Sequence, residues 1–325
     1  MTIKSSGSPL SFSEIETEFG ANGSRSLGGY RIKQSVGSLS DLPLDDNIPK
    51  ENTDTIKFSD FYGKQLNVVV DCHSGGREDR ISARGDKWNN NAVTVIGGFR
   101  SKKESGSKII INVNKKFCSD KSARNRCALR TGSWNSTAVV QVDVGSSGRI
   151  LGSGGNGGRG RNGIDGSAQS GFPGTSGLGI QVNNCTVNVA SGGIIRAGFG
   201  GGGGGGGSRQ VDKGEDRRAS GGGGGGGAGC PPGSGGPGGT TGAGGQAGGA
   251  GTQTSGGGGG SGGNSGNGQA IGGTGGSGGQ AQGGPGASSG GAGTNGAAIR
   301  RNSGFSVSIN NNGTIQGGTG ATGVS

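Results

Sequence analysis

The chain has 325 residues, of which 87 are glycine and only 26% are hydrophobic, and its formal net charge is +11. This composition argues against a single large apolar core, and no window is long and apolar enough to predict a membrane-spanning segment. Glycine and proline at this level are typical of low-complexity or disordered sequence unless a regular pattern accompanies them.

Residues 1–63 form an acidic first region that predicts a small attachment unit. In "SFSEIETEFG", Ser11 stands three residues before Glu14 as in a capping box, Ile15 and Phe19 are four apart, and a glycine follows, so we expect a short amphipathic helix. The segment "IKFSDFYGK" repeats the order of an apolar residue, Phe-Ser and an acid. The N-terminus has no apolar signal segment, so we expect neither secretion nor membrane insertion.

A region this short, with few apolar residues, is marginally stable alone, so we expect it to dock on a partner or on the next domain. The alternative is a tethered tail. The side chains that we assign to this docking contact are Phe12, Ile15, Phe19, Phe58, Phe61 and Tyr62.

Residues 64–135 predict a small basic β domain. The runs "LNVVVD", "NAVTVIGG" and "KIIINVNKKF" are short, β-branched and bounded by turn-forming residues. Ten basic residues lie between Arg100 and Arg130, against Glu104 and Asp120. Contact with nucleic acid or an anionic glycan is one interpretation, but no aromatic residues alternate with the basic ones, which favours a solvated face or one docked on an acidic partner.

The cysteines predict no metal site. There are five, an odd number, at irregular spacings, and the chain has one histidine, next to Cys72. At least one cysteine must be unpaired, and a reduced assembly compartment is the simpler interpretation. A tetrahedral zinc site has little support from this set, and we expect no metal or other cofactor.

Residues 136–325 contain an internal repeat that predicts β-strands. The segments 141–154, 186–198 and 306–318 share the pattern V-x-[V/I]-x-x-x-G-x-I. Val142 aligns with Val187 at a shift of 45 residues, and Val187 with Val307 at a further 120. We expect a strand, a glycine turn and an isoleucine that returns to a shared core in each copy. These units bracket the glycine-rich stretches.

Two pure glycine runs, 200–207 and 221–227, enclose the charged segment 208–220. Polyglycine II has three residues per turn and makes no hydrogen bonds within one strand, so helices side by side can bond to one another if no side chain separates them. An interior helix must then be glycine on all faces, which fits these runs and 256–260, whereas GGX spacing as in "GGTGGSGG" fits an outer helix.

Three other interpretations of the glycines fit less well. Collagen requires a G-X-Y period that "GFPGTSGLG" keeps only briefly. A disordered RNA-binding tail needs more basic and aromatic residues than "GGRGRNG" offers. A flexible linker leaves the flanking strand repeats unexplained.

Two sets of motifs resemble known phage proteins. "SFSEIETEFG" followed by "NIPKENTDTIKFSDFYGK" resembles the N-terminal region of a group of tailed-phage structural proteins. "GRILGSGGNGGRG", "GGIIRAGFGGGGGGGG" and "NNGTIQGG" resemble glycine-rich tail-fibre adhesins, similar to the distal adhesins of T-even-type long tail fibres. The N-terminal region departs from those adhesins, so its docking partner is expected to be a fibre, tail or baseplate protein.

The resemblance implies a scaffold of polyglycine II helices whose loops contact a host receptor, a surface protein or a glycan. The glycines implied as scaffold are Gly200, Gly203, Gly207, Gly221, Gly224, Gly227, Gly256 and Gly260. The residues implied for receptor binding at a tip loop are Arg209, Asp212, Lys213, Glu215, Asp216, Arg217 and Arg218. Loops such as 280–287 are expected to join them, and a solubilising turn is the alternative for 208–220.

The expected protein is a mainly β, non-enzymatic tail-fibre adhesin of the virion, assembled in the host cytoplasm. No catalytic constellation or phosphate-binding loop stands out in the sequence. We expect no binding to nucleic acid. The alternative function is a structural spike or an assembly or decoration component of the tail or baseplate that binds no receptor.

Overall fold

The computed structural model describes residues 3–19, 26–30, 34–36, 39–42, 53–64, 68–72, 93–96, 108–119, 126–132, 134, 139–212, 215–265, 270–278 and 290–323. The described part is mainly β, with a small helical region at the N-terminus, as the sequence predicts. The strands are β1 Gln34–Val36, β2 Leu39–Leu42, β3 Val68–Cys72, β4 Val93–Ile96, β5 Lys108–Val113, β6 Lys116–Cys118, β7 Cys127–Arg130, β8 Val139–Val144, β9 Arg149–Leu151, β10 Ser176–Ile180, β11 Cys185–Val189, β12 Ile194–Arg196, β13 Ser208–Asp212, β14 Glu215–Ala219, β15 Ala297–Arg301, β16 Val307–Asn311, β17 Thr314–Gln316 and β18 Gly318–Thr322.

The N-terminal helix α1 covers Phe12–Phe19, and two 3₁₀ helices cover Leu27–Tyr30 and Phe58–Phe61. The predicted capping box is confirmed, because the amide and hydroxyl of Ser11 both donate to the Glu14 carboxylate, at 2.8 and 2.9 Å.

The two sequence copies of this motif fold against each other. In the second copy the Lys57 amide donates to the Asp60 carboxylate at 2.7 Å, just as Ser11 donates to Glu14 in the first. The rings of Phe12 and Phe58 pack edge to face, with centroids 5.0 Å apart.

Most of the other strands form a four-turn parallel β-helix with three sheets. The sheets have the orders β18-β15-β10-β7, β16-β11-β8-β5-β3-β4 and β17-β12-β9-β6. Each turn gives one strand to each sheet, in the chain order β5-β6-β7, β8-β9-β10, β11-β12-β15 and β16-β17-β18. All pairings within the four turns are parallel, and β3 and β4 extend one sheet.

Side-chain burial holds the β-helix together. In β8 the residues Val140, Val142 and Val144 point inward and are fully buried, while the residues between them face outward. The isoleucines of the repeat, Ile150 and Ile195, are also fully buried and pair in register. The predicted strand, glycine turn and returning isoleucine are therefore present.

The register of the third repeat differs from the sequence alignment. Val187 pairs with Val142 as expected, but with Ile309 rather than Val307 on the other side. The turn after β11 has four residues and the turn after β16 has two, so the strand slips by two residues. A slip of two keeps the same side chains on the inner face, so the alternating pattern does not reveal it.

The first turn of the β-helix lies within the region predicted as a basic β domain. Strands β5, β6 and β7 each pair in parallel with strands C-terminal to residue 136. Strands on the two sides of the predicted boundary between residues 135 and 136 therefore belong to the same three sheets.

Two excursions leave the β-helix, between β9 and β10 and between β12 and β15, and together they form a glycine bundle. Its described segments are g1 (152–161), g2 (169–175), g3 (198–207), g4 (220–229), g5 (231–239), g6 (243–252), g7 (255–263), g8 (270–278) and g9 (290–296).

Backbone hydrogen bonds with a period of three residues join neighbouring segments. Gly221, Gly224 and Gly227 of g4, for example, all donate to carbonyl groups of g1. Segment g4 bonds in this way to g1, g3, g5, g6, g7 and g8, and g3 bonds to g1, g2, g4, g8 and g9. The two pure glycine runs are therefore the innermost segments described.

A disulfide joins the β-helix to the bundle. Cys118, at the end of β6, is bonded to Cys230, in the turn between g4 and g5, across 112 residues of sequence. The sequence favoured reduced cysteines, and the structure differs because the fold brings these two distant residues together. Cys72, Cys127 and Cys185 are buried and carry thiols.

Candidate functional site

The segment between the two glycine runs is a β-hairpin at the end of the bundle remote from the β-helix. Segments g3 and g4 are antiparallel, with Gly205 near the hairpin bonded to Gly222, and Phe199 near the β-helix bonded to Ala228. Strands β13 and β14 continue them beyond the bundle, and Ser208 pairs with Ala219. The sequence predicts a loop that turns at this tip. The two strands are not predicted, because the segment is almost entirely polar and has no alternation of apolar and polar residues.

One face of the hairpin carries a row of paired charges. The Asp216 carboxylate accepts from Arg209 at 2.7 Å and from Arg218 at 2.9 Å, and Arg218 also reaches Asp165 at 3.4 Å. Hydrogen bonds from these arginines lower the pKa of Asp216, and the bond to Asp216 raises the pKa of Arg218. The row pairs two arginines with two carboxylates, so its charges balance locally.

Other residues of the hairpin are more open to contact. Arg217 pairs with Glu215 at 2.6 Å, and the Glu215 side chain stays 66% exposed. Val211 lies on the same face as the charged row and is 59% exposed, which makes it the most exposed large apolar side chain described. The charged residues of the hairpin are predicted from the sequence, whereas Val211 and Asp165 are not.

The base of the hairpin is anchored by the buried hydroxyl of Ser220. It donates to the carbonyl of Thr241 at 2.7 Å and accepts from the amide of Gly163 at 3.0 Å. The amide of Thr240 donates to the Asn162 side chain at 2.9 Å. The loop between g1 and g2, the loop between g5 and g6, and the hairpin thus meet at one end of the bundle. A Ser after a charged run gives no signal of this role.

The predicted scaffold glycines lie where a side chain cannot fit. A Cβ on any of the eight would stand between 1.7 and 2.3 Å from a backbone oxygen of another part of the chain, far below contact distance. The run 256–260 is nevertheless at the edge of the bundle, because g7 bonds only to g4, g6 and g8 among the described segments. A Cβ added at Gly258, in the middle of that run, would meet no described atom within 4 Å.

The predicted attachment residues divide into core and surface. Ile15 and Phe61 are fully buried in a small cluster with Ile3, whereas Phe58 is 36% exposed. The hydroxyl of Tyr62 donates to the carbonyl of Ser8 at 2.7 Å.

Several predicted residues lie outside the described part. Lys213 and the loop 280–287 are outside the described residues, and the side chains of Asp212 and Phe19 are likewise not described. Of the ten basic residues between Arg100 and Arg130, the described side chains are those of Lys115, Lys116, Arg126 and Arg130.

Two of the buried thiols are poor nucleophiles. Burial raises the pKa of the Cys127 thiol to about 11 and that of Cys185 to about 12, so both are protonated and poorly nucleophilic at neutral pH. No group of three His, Cys, Asp or Glu side chains that could hold a metal ion occurs among the described residues. None of the described helices is long and apolar enough to cross a membrane.

Comparisons with known proteins give one family. A family model described as "Phage tail fibre adhesin Gp38" matches residues 80–320, well over half of the chain. The search of curated proteins finds no match. Among solved structures, the chain is similar to the gp37-gp38 adhesin tip complex of the bacteriophage S16 long tail fiber, with 17% sequence identity and a TM-score of 0.40 over 96% of this chain and 98% of that chain.

Proposed function

Because this chain belongs to the phage tail fibre adhesin Gp38 family, we propose that it recognises a host cell-surface receptor through the loops at the remote end of its glycine bundle. A tail fibre adhesin is a component of the virion tail. The hairpin formed by β13 and β14 is the main contact element in this proposal. The observation that carries it is that the hairpin extends from the two innermost glycine segments, on the side away from the β-helix.

We interpret the glycine segments as polyglycine II helices, which supply the stiff base that such a contact requires. The period of three residues and the restriction of hydrogen bonds to neighbouring segments are the properties that favour this interpretation. Binding groups on loops held by a rigid scaffold lose little entropy when they bind. The paired charges of Arg209, Asp216 and Arg218 support the same role, because they fix the shape of the hairpin before the receptor arrives.

We further propose that residues 1–63 attach the protein to a tail-fibre, tail or baseplate protein. Phe58 is the described aromatic residue best placed for contact, since it is 36% exposed, while Ile15 and Phe61 support the surface from beneath. On this proposal the protein is assembled in the host cytoplasm. The bond between Cys118 and Cys230 then closes after the virion reaches an oxidising environment.

Host adsorption by virions with an altered hairpin tests the receptor proposal. Residues 209–212 and 215–218 are replaced by Gly and Ser. Ala219 and Ser220 are kept because they are buried, and Ser208 is kept because it pairs with Ala219. The control is Thr254→Ser in the exposed loop between g6 and g7, at the other end of the bundle. We expect the hairpin variant to lose adsorption and the control to retain it.

Unchanged adsorption by a folded hairpin variant would favour the alternative function, a spike or assembly component without receptor contact. Purified protein separates the two further, since an adhesin blocks infection when added to cells and a spike does not. We assign no catalytic role. A nucleic-acid function would be supported only if the protein bound DNA or RNA with an affinity that falls steeply as the salt concentration rises.

A further inference from the structure

The outer face of the six-stranded sheet carries a column of polar side chains that the adhesin function does not use. Asn112, Asp143, Asn188 and Asn310 occupy equivalent positions on β5, β8, β11 and β16. They alternate with the inward-facing valines, so they lie on the face opposite the core. Neighbouring parallel strands are about 4.8 Å apart, so the column repeats polar groups at that interval.

A directed chain of hydrogen bonds runs along three of these residues. Asn310 donates from Nδ2 to Asn188 Oδ1 at 2.8 Å, and Asn188 donates from Nδ2 to Asp143 Oδ1 at 2.7 Å. The Asp143 carboxylate also accepts from Gln141 Nε2 at 2.9 Å. Each amide is therefore held in one orientation, and Asn310 Oδ1 accepts no bond from any described residue.

A groove of about 390 Å³ follows the column. Its polar lining comes from Asp143, Asn188, Asn310 and Asn312, and the remaining lining residues are Val144, Gly145, Val189 and Ala190. The lining residues include no lysine, arginine or aromatic side chain, and one carboxylate. The groove therefore combines apolar surface with a row of neutral donors and acceptors and a single negative charge.

This chemistry selects among ligand classes. An anionic ligand would meet Asp143 and no cation, and nucleic acid needs basic side chains. A cation would find one carboxylate, whose oxygens already accept hydrogen bonds from Gln141 and Asn188. An apolar peptide would find no deep pocket of large side chains. Hydroxyl groups, which both donate and accept, match fixed amides and a carboxylate best.

We propose that this groove binds a neutral oligosaccharide, laid along the column from Asp143 to Asn310. The sugar hydroxyls donate to Asn310 Oδ1 and accept from the side-chain amide of Asn312, at the open end of the column. The site lies on the side of the β-helix and is separate from the hairpin at the tip. It would hold the protein against a glycan-covered surface whether or not the hairpin is engaged.

Saturation-transfer NMR with the full chain tests this site. The probes are maltohexaose, mannohexaose and a galactose-based neutral hexasaccharide, and a sulfated hexasaccharide of similar length is the charged comparison. We expect at least one neutral probe to bind. Asn310→Ala combined with Asn312→Ala should weaken that binding roughly tenfold, the effect of losing one or two hydrogen bonds.

Ser308→Ala is the matched control, since Ser308 is exposed on the same strand but belongs to the adjacent column with Gln141 and Thr186. It should bind the probe as the parent chain does. The hairpin variant with residues 209–212 and 215–218 replaced should also bind normally, even if its adsorption to host cells is lost.

The proposal would be overturned by no binding of any neutral probe, by equal binding of the asparagine and serine variants, or by preferential binding of the sulfated probe. A hairpin variant that loses saccharide binding while remaining folded would also overturn it, because the site would then be at the tip. Since the readout is saccharide binding, failure here is distinct from failure of the receptor proposal.

Discussion

The β-helix and the glycine bundle are stabilised in opposite ways. In the β-helix, rows of buried valine and isoleucine side chains fill the interior, and the sheets enclose them. In the bundle, g3 and g4 have almost no side chains, and backbone amide and carbonyl groups bond directly to the neighbouring segments. One region depends on the volume of its side chains, and the other depends on their absence.

The difference changes what a substitution means in each region. Removing a methyl group from an apolar core leaves a small cavity, whereas adding one to the bundle forces two backbones apart. Glycine loses more backbone entropy on folding than any other residue, and the dense hydrogen bonds between segments offset that cost.

Removing the link between the two regions should have the largest effect. Replacing Cys118 and Cys230 by serine removes a cross-link across 112 residues. The free energy of unfolding should fall by about 4 kcal/mol, because the unfolded chain gains freedom. Urea denaturation measures the change. The parent protein should respond to a reducing agent and the double variant should not, and equal midpoints for the two would contradict the prediction.

Adding one methyl group inside the bundle should have the next largest effect. In Gly224→Ala the new Cβ would stand 1.9 Å from the carbonyl oxygen of Gly202, so the segments must separate, at a cost of about 3 kcal/mol. Gly258→Ala is the control, since no described atom would lie within 4 Å of the new Cβ, and it should be neutral or stabilising by up to about 1 kcal/mol. Thermal unfolding of both variants checks this, and similar losses would show that close packing is not the cause.

Removing one methyl group from the β-helix should have a smaller effect. Ile150 is fully buried, and Ile150→Val should cost about 1 kcal/mol, since the surrounding side chains partly close the cavity. Val139→Ala, at a position 52% exposed in β8, should stay within about 0.5 kcal/mol of the parent. A loss as large as that of Gly224→Ala would remove the contrast between the regions.

Acid should weaken the cap of the N-terminal helix α1, where the Glu14 carboxylate accepts hydrogen bonds from Ser11. Bonds from Lys4 and Ser11 lower the pKa of Glu14 from 4.5 to about 2. Because the folded pKa is the lower one, this stabilisation is complete above about pH 4.5 and is lost as the pH falls towards 2. A carboxyl ¹³C NMR titration measures it. In Lys4→Gln the pKa of Glu14 should rise, and an unchanged value would exclude the ion pair as its main cause.

The sequence predicted the repeating parts of this fold well, for physical reasons. Val142, Val187 and Ile195 follow the two-residue period of a strand, and the helix cap at Ser11 and Glu14 is local. The glycine runs of g3 and g4 predicted interior positions, because only glycine allows contact on every side.

What the sequence could not predict depends on long-range arrangement. The pairing of Val187 with Ile309 follows from the length of a turn. Because side chains alternate with a period of two residues along a strand, a slip of two residues leaves the apolar pattern unchanged. The edge position of g7 depends on how many segments surround it, which five consecutive glycines do not encode. The pairing of Cys118 with Cys230 and the contact of Arg218 with Asp165 require the fold itself.

The placement of the hairpin on g3 and g4 also has a mechanical consequence. Tension applied at the hairpin enters the two segments that have the most neighbours among the described segments, five for g3 and six for g4. Pulling them along their length loads many backbone hydrogen bonds in shear at the same time, instead of opening them one after another. A force applied at the tip is thereby distributed over many hydrogen bonds between segments. These bonds must break together, so the bundle resists mechanical unfolding.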